Sequence, residues 1–240
     1  MSSRSRRRRR GGGSSFGLII GISVAALVVV GAIILISVSG GSSGESIPDD
    51  LTQFIDTEIV QGAPGFSIGD PGAPVVLVDY SDFSCGACST LADVLEEIIV
   101  DPDGYVQSGE LRIVYKPVWF VNPPRSEPAS RAAYCAAEQD LFWQYHTEIW
   151  NLFASGGTNA YTEPVLTSRA DRVDGLDLGQ FESCLSAPTT QQAVQAVVDE
   201  ATAIGVRSTP TVFVNGQQVQ LTQPLSASIE TAIESALSTP

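Results

Sequence analysis

The chain has 240 residues, 43% of them apolar and 17% charged, with four cysteines and a formal net charge of −14. That length suits one domain of ordinary size plus an appendage, and that apolar content excludes a disordered polyampholyte. All 27 acidic residues lie from Glu45 onward, where seven basic residues accompany them, so this part carries a net −20 and repels a phosphate backbone; no nucleic-acid partner is expected.

Six of the 13 basic residues fall in the first ten positions, as Arg4 and Arg6 to Arg10. Residues 16–38 then run for 23 positions without a charge. About 20 such residues cross a hydrocarbon core as a helix, whereas the apolar part of a secretory signal runs to roughly 7–15. Arginines ahead of such a span stay in the cytoplasm. The expected order is a cytoplasmic basic tail over 1–15, one transmembrane helix in the lipid bilayer over 16–38, and everything later outside the cytoplasm. The expectation is a single-pass protein of the cell membrane. A cleaved signal, with Ser37-Val38-Ser39 as a weak small-residue site, is the alternative, and a buried core helix is the bland one. Residues 39–63 read as linker and arm, beginning with a flexible Gly/Ser tether over 40–45.

From residue 64 the chain reads as one α/β domain extending to 240. Residues 74–80 are a short, mostly apolar, β-branched run, the pattern of a buried strand. After a turn at 81–84, Cys88, Leu91, Ala92, Leu95, Ile98 and Ile99 recur at helical spacing. Residues 111–118 read as a second strand. Between about 123 and 204 the period is helical: Phe142, Tyr145, His146, Ile149 and Phe153 share a stripe, Pro164 suits a first turn, Gly175 suits a stop, and 177–185 form a short helix. Residues 211–214 read as a strand, Asn215-Gly216 as a hairpin turn, 218–221 as the partner strand, and a final amphipathic helix follows Leu225. A mixed sheet covered by helices fits this order.

The cysteines stand at 85, 88, 135 and 184. Outside the cytoplasm disulfides persist, and four cysteines allow three pairings. The economical one joins Cys85 to Cys88 and Cys135 to Cys184. A zinc site would need two further ligands, and the sequence has no second C-x-x-C and a single histidine, His146. No metal and no cofactor are expected. A C-x-x-C between a buried strand and a helix start is suited to thiol–disulfide exchange. The helix amides favour negative charge on Cys85, the more exposed sulfur, and Cys88, one turn inward, resolves the mixed disulfide.

Three stretches now stand together. They are Asp-Phe-Ser-Cys-Gly-Ala-Cys over 82–88, Ala-Ala-Glu-Gln-Asp-Leu-Phe-Trp over 136–143, and Gly-Val-Arg-Ser-Thr-Pro-Thr-Val-Phe-Val-Asn-Gly over 205–216. Over about residues 64–238 the chain resembles the DsbA-like branch of the thioredoxin superfamily, the bacterial extracytoplasmic disulfide oxidoreductases. The resemblance implies a thioredoxin-like fold with an inserted helical domain, over about 123–204 here. It implies that Thr209-Pro210 is a cis link facing the C-x-x-C, where its loop offers backbone groups to an extended substrate; by the residues alone, Pro210 merely bounds a strand. It implies that Asp79, six positions before Cys85, lies under the buried cysteine and helps move its proton, with Lys116 as a candidate partner for Asp79. A satisfied strand-end carboxylate and a solvated lysine are the plainer readings. Cys135–Cys184 reads as a structural bridge, and His146, Phe142, Trp143 and Trp150 as core.

The resemblance further implies an enzyme that donates its Cys85–Cys88 disulfide to reduced, unfolded exported proteins. A DsbB-like or vitamin K epoxide reductase-like membrane protein would reoxidise it. A reductase or isomerase using the same sulfurs, or a non-catalytic chaperone on the same fold, are the competing functions. One departure bears on direction. The best-known oxidant has a histidine before its second cysteine, and this chain has Ala87. A less acidic Cys85 and a less oxidising disulfide are the expectation.

Overall fold

A computed structural model describes residues 66–239 of the chain. The expected tail, transmembrane span and linker lie outside the described residues. Among the described residues no helix is long and apolar enough to cross a membrane.

The apolar run after Ala73 forms β2 (Val75–Ser81), buried along nearly all its length. Burial on both faces is why this strand shows no polar–apolar alternation. It pairs in parallel with β3 (Leu111–Pro117) and antiparallel with β4 (Thr211–Val214). Two-residue strands complete the edges: β1 (Ser67–Ile68) against β3 and β5 (Gln217–Gln218) against β4, giving the order β1-β3-β2-β4-β5. β1 is too short to leave a pattern in the sequence. Gly69 ends it with φ +104°, and a Cβ there would come within 2.3 Å of the Leu111 carbonyl oxygen, so glycine alone fits. Asn215 and Gly216, at φ 46° and 76°, make the expected hairpin turn. The partner strand expected over 218–221 shrinks to the two exposed glutamines of β5, although the Val219 amide still donates to the Val212 carbonyl at 2.8 Å and Val219 and Leu221 pack against the core.

Alternate residues of the central strands face different helices. Val75, Leu77, Ile113 and Val212 pack against Leu91 and Leu95 of α1 (Gly86–Val100) and against Ile229 and Ile233 of the closing helix α7 (Leu225–Leu237). Val78, Tyr80, Val114 and Phe213 pack against Val197 and Ala201 of α6 (Pro188–Ala203).

Between β3 and α6 the chain makes α2 (Pro123–Ala137), α3 (Phe142–Gly156), α4 (Glu163–Ala170) and α5 (Leu178–Ser186). Pro164 is in the first turn of α4, where a missing N–H costs nothing. Asp177 caps α5, its carboxylate accepting from the Gln180 amide at 2.8 Å. Gly175, expected as a helix stop, lies beyond the end of α4 in the turn toward α5, at φ 86°. The small residues Ala129, Ala132, Ala133 and Ala136 of α2 are fully buried, which lets neighbouring helices approach closely. A disulfide joins Cys135 of α2 to Cys184 of α5. One apolar cluster runs from Phe83, Cys88 and Tyr115 into Phe142, Tyr145, Ile149 and Phe181, so these helices share a core with the start of α1.

The Cys135–Cys184 bridge spans 49 residues, and closing such a loop is worth about 4 kcal/mol on chain-entropy arithmetic. The doubly substituted chain, Cys135→Ala with Cys184→Ala, is expected to lose about 2–4 kcal/mol in equilibrium urea unfolding. An unchanged midpoint would mean that the bridge restrains nothing.

Candidate active site

β2 ends at Ser81, and the four residues before α1 are fixed by one carboxylate. Asp82 is completely buried. Its Oδ1 accepts from the Ser84 amide at 2.7 Å and its Oδ2 from the Val121 amide at 2.7 Å, tying this loop to the segment after β3. Its own carbonyl accepts from the Cys85 amide at 2.9 Å. Ser126 Oγ donates to Ser84 Oγ at 2.9 Å, and the Tyr161 hydroxyl donates to the Phe83 carbonyl at 2.9 Å. The helical insertion therefore holds the loop from above. Asp82 stands in the quoted motif, and its local signal is an Asp two residues before the amide it caps. Its grip on Val121 is not visible in sequence.

Cys85 is the N-cap of α1, and Cys88 lies in the first turn. Both are free thiols in this structure. Cys85 is 9% exposed and Cys88 1%. The Cys85 thiol donates to the Thr209 carbonyl at 3.4 Å, across a cis Thr209–Pro210 link. The Thr209 hydroxyl is buried with no partner of its own, leaving it free to donate to a thiolate.

These surroundings act on the two sulfurs in opposite senses. A hydrogen bond from Cys88, helped by Thr209 and by the Cys88 and Ala87 amides, outweighs burial and lowers Cys85 to about 5. Burial, the hydrogen bond to Cys85 and the charge of Asp79 push Cys88 far above the usual thiol range. The backbone amide of Ala87 thus acts on Cys85 although its side chain cannot. A Cys85 near 5 fits the helix-start amides expected to favour its thiolate.

Asp79 is buried on the same face of the sheet, 1% exposed, and accepts from Ser81 Oγ at 2.6 Å. Burial lifts it from 3.8 to about 7, against the lowering by Ser81 and with a smaller push from Cys85. Lys116 is not its partner. In the β2–β3 register Asp79 stands opposite Tyr115, and Lys116 stands opposite Tyr80, on the other face. There Lys116 Nζ meets Glu200 of α6 at 3.1 Å, and the Tyr80 hydroxyl donates to the same carboxylate at 2.6 Å. Neither Glu200 nor Tyr115 is singled out by sequence, because both depend on which strand faces which helix.

His146 is 5% exposed and ringed by Phe83, Tyr115, Phe142 and Trp143. Its Nε2 accepts from Trp150 Nε1 at 2.9 Å, and burial lowers its pKa to about 3. It is a neutral core residue. Among the described residues no cluster of His, Cys, Asp or Glu is arranged to hold a metal ion.

With this geometry established, comparison with known proteins is direct. The family described as thioredoxin matches residues 62–234. The chain belongs to the thioredoxin family. A relative of this thioredoxin-family chain, the probable disulfide bond formation protein D of Bacillus anthracis, is 27% identical over 225 residues, 90% of this chain and 93% of the relative. The Na(+)/H(+) antiporter NhaA 3 of Salinispora tropica is 32% identical over 173 residues, 70% of this chain but only 24% of the antiporter, so the likeness there is to one part of a longer protein. Among solved structures, oxidised BdbD of Bacillus subtilis superposes with a TM-score of 0.65 at 21% identity, covering 75% of this chain and 95% of that one. This thioredoxin-family chain is a thiol–disulfide oxidoreductase.

The Asp79 shift fixes a sign for stability. Its folded pKa of about 7 lies above the ordinary 3.8, so between those values the folded state holds a proton that the unfolded state has lost. Stability therefore falls as pH rises through this window, by up to about 4 kcal/mol. Reduced Asp79→Asn is expected to gain on the reduced wild type by that order between pH 4 and pH 8 in urea unfolding. Comparing the two proteins cancels the Cys85 contribution, which runs the other way. A constant difference across the window would show that Asp79 is not destabilised by burial.

Proposed function

We propose that this chain is an oxidant that donates the Cys85–Cys88 disulfide to reduced, unfolded exported proteins outside the cytoplasm. A substrate thiolate attacks Cys85 Sγ, the Cys85–Cys88 bond breaks, and a Cys85–substrate mixed disulfide forms. Cys88 departs as a thiolate and takes a proton, with the Asp79 carboxyl above it in the sequence and beneath it in space as donor. A second substrate thiolate then attacks the substrate sulfur and releases Cys85 as a thiolate. Two electrons have passed from substrate to enzyme, and the substrate carries the disulfide.

The observation that carries this reading is the seat of Cys85 at the N-cap of α1, where Cys88, Thr209 and the Cys88 and Ala87 amides lower its pKa. A sulfur held near 5 leaves readily as a thiolate, and its stabilisation at neutral pH favours the dithiol form over the disulfide. Such a disulfide is a good oxidant. Asp79, poised near 7, supplies or accepts a proton at working pH. The Thr209–Pro210 link supports the substrate side of the reading: Pro210 has no N–H, and the Thr209 carbonyl already lies within reach of Cys85, the sulfur under attack.

The span over 16–38 anchors the enzyme to the cell membrane with residues 1–15 inside. That placement brings it close to a DsbB-like or vitamin K epoxide reductase-like membrane protein, which reoxidises the Cys85–Cys88 pair. The curated relative over most of its length is named for disulfide bond formation, in keeping with this direction.

The test is the reduction potential of the Cys85–Cys88 pair, measured alongside oxidation of a reduced, unfolded protein. The oxidant reading expects a value near about −120 mV and turnover lost in Cys85→Ser. A value near about −270 mV would assign a reductant instead. No turnover in either direction, with wild type equal to Cys85→Ser, would leave only a binding role on this fold.

A further inference from the structure

On the face of the sheet toward α6, away from the sulfurs, one carboxylate has both oxygens engaged. Glu200 Oε2 meets Lys116 Nζ at 3.1 Å, and Glu200 Oε1 accepts from the Tyr80 hydroxyl at 2.6 Å. The side chains of Lys116 and Glu200 are only 3% and 9% exposed, and Tyr80 is buried with them. Desolvation offsets most of what such a pair gains, so stability gives little reason for it. The Tyr80 ring is held in any case, edge-on to Phe213 at 5.9 Å and in one apolar cluster with Val78, Val197 and Val206. Packing asks for the ring and not for the hydroxyl.

What the hydroxyl joins is the loop of the active site. Glu200 stands in the last turn of α6. Beyond it the chain folds back on the helix end. The Val206 amide donates to the Ala201 carbonyl at 2.9 Å, the Gly205 amide to the Thr202 carbonyl at 3.2 Å, and Arg207 Nη1 to the Thr202 carbonyl at 2.7 Å. Thr209 follows, its carbonyl accepting from the Cys85 thiol. The loop closes at Thr211, whose Oγ1 donates to the Ser208 carbonyl at 2.8 Å and which stands opposite Tyr80 in the β2–β4 register. Tyr80 therefore reaches both ends. Its backbone lies across from the residue where the loop enters β4, and its hydroxyl holds the helix turn from which the loop departs. The strand that carries Tyr80 also delivers the chain to Cys85.

We propose that Tyr80 is a positioning residue for substrate binding. Its hydrogen bond to Glu200 fixes where α6 ends relative to β2, and so sets the Thr209 carbonyl and the backbone beside it where an extended substrate chain on Cys85 meets them. This rests on the reading that the Thr209–Pro210 loop supports the substrate, and deepens it. Lys116 holds the other oxygen of Glu200, which keeps Oε1 turned to Tyr80. Tyr80 takes no part in the exchange of sulfur bonds. A shift of the loop is felt by a chain lying along it and not by a small thiol that meets Cys85 alone.

The test uses the oxidised 240-residue chain and two reductants, dithiothreitol and an unstructured peptide with two cysteines. With either, a thiolate attacks Cys85 Sγ and the Cys85–Cys88 bond opens. The reductant's second thiolate then closes its own disulfide and releases Cys85. Acid-quenched samples are alkylated and followed by mass spectrometry. In Tyr80→Phe the half-saturating peptide concentration is expected to rise about ten-fold with the limiting rate unchanged, while the dithiothreitol rate equals that of wild type. A merely structural defect slows both reductants alike or neither, and either result overturns the proposal alone. Should Tyr80→Phe not fold, Glu200→Gln, which offers Tyr80 a neutral acceptor in place of a charged one, is expected to show the same split at about three-fold. A wild type that shows no saturation with the peptide overturns the reading of the loop as substrate support, and this proposal with it.

Discussion

One turn of helix must hold two sulfurs in opposite electrostatic surroundings, and most of the structure around α1 answers to that constraint. At the N-cap, Cys85 meets amides that have no helical partners and are drawn to negative charge. Three residues on, Cys88 is turned inward over a buried carboxylate that repels it once charged. The difference between the two is kept by rigidity. β2 delivers the chain to the helix start from inside the sheet, Asp82 locks the loop, and the insertion clamps it through Ser126 and Tyr161.

The sheet also sorts charge by face. Toward α1 lie an acid, two thiols and a phenol, with no positive side chain among them. Toward α6 lie Lys116, Glu200 and the Tyr80 hydroxyl, bound to one another. A buried ion pair adds little net stability, because desolvation offsets the attraction. Its consequence here is positional: the chain's single lysine is kept off the sulfur face, so nothing cationic pulls Asp79 back to an ordinary carboxylate pKa. α6, pinned by Glu200, runs directly into the loop that carries Thr209 and Pro210.

What the sequence reveals and conceals follows from range. The apolar run into Ser81 and the helical spacing after Cys85 are local patterns, and they mark the strand–helix junction without help from the rest of the chain. Asp79 on the strand and Cys88 on the helix follow from the same local geometry. The pairing partner of Asp79 does not. It depends on the register of β2 against β3, and since neighbours on a strand face opposite ways, a shift of one residue exchanges Tyr115 for Lys116. β1 and β5 escape notice because two residues carry no period. The clamp from Asp82 to Val121 and the pinning of α6 by Glu200 join positions far apart in the chain. The amides that favour a Cys85 thiolate are legible from the placement of the C-x-x-C at a helix start, whereas the contact to Thr209 comes from 124 positions away.

The central claim is that these surroundings make Cys85 a thiolate near neutrality. Its ultraviolet thiolate absorbance, titrated from acid to alkaline pH in the reduced protein with Cys85→Ser as the blank, tests this most directly. The account predicts a transition centred near pH 5 that is absent from the blank. A transition near the ordinary thiol value of 9 would contradict it.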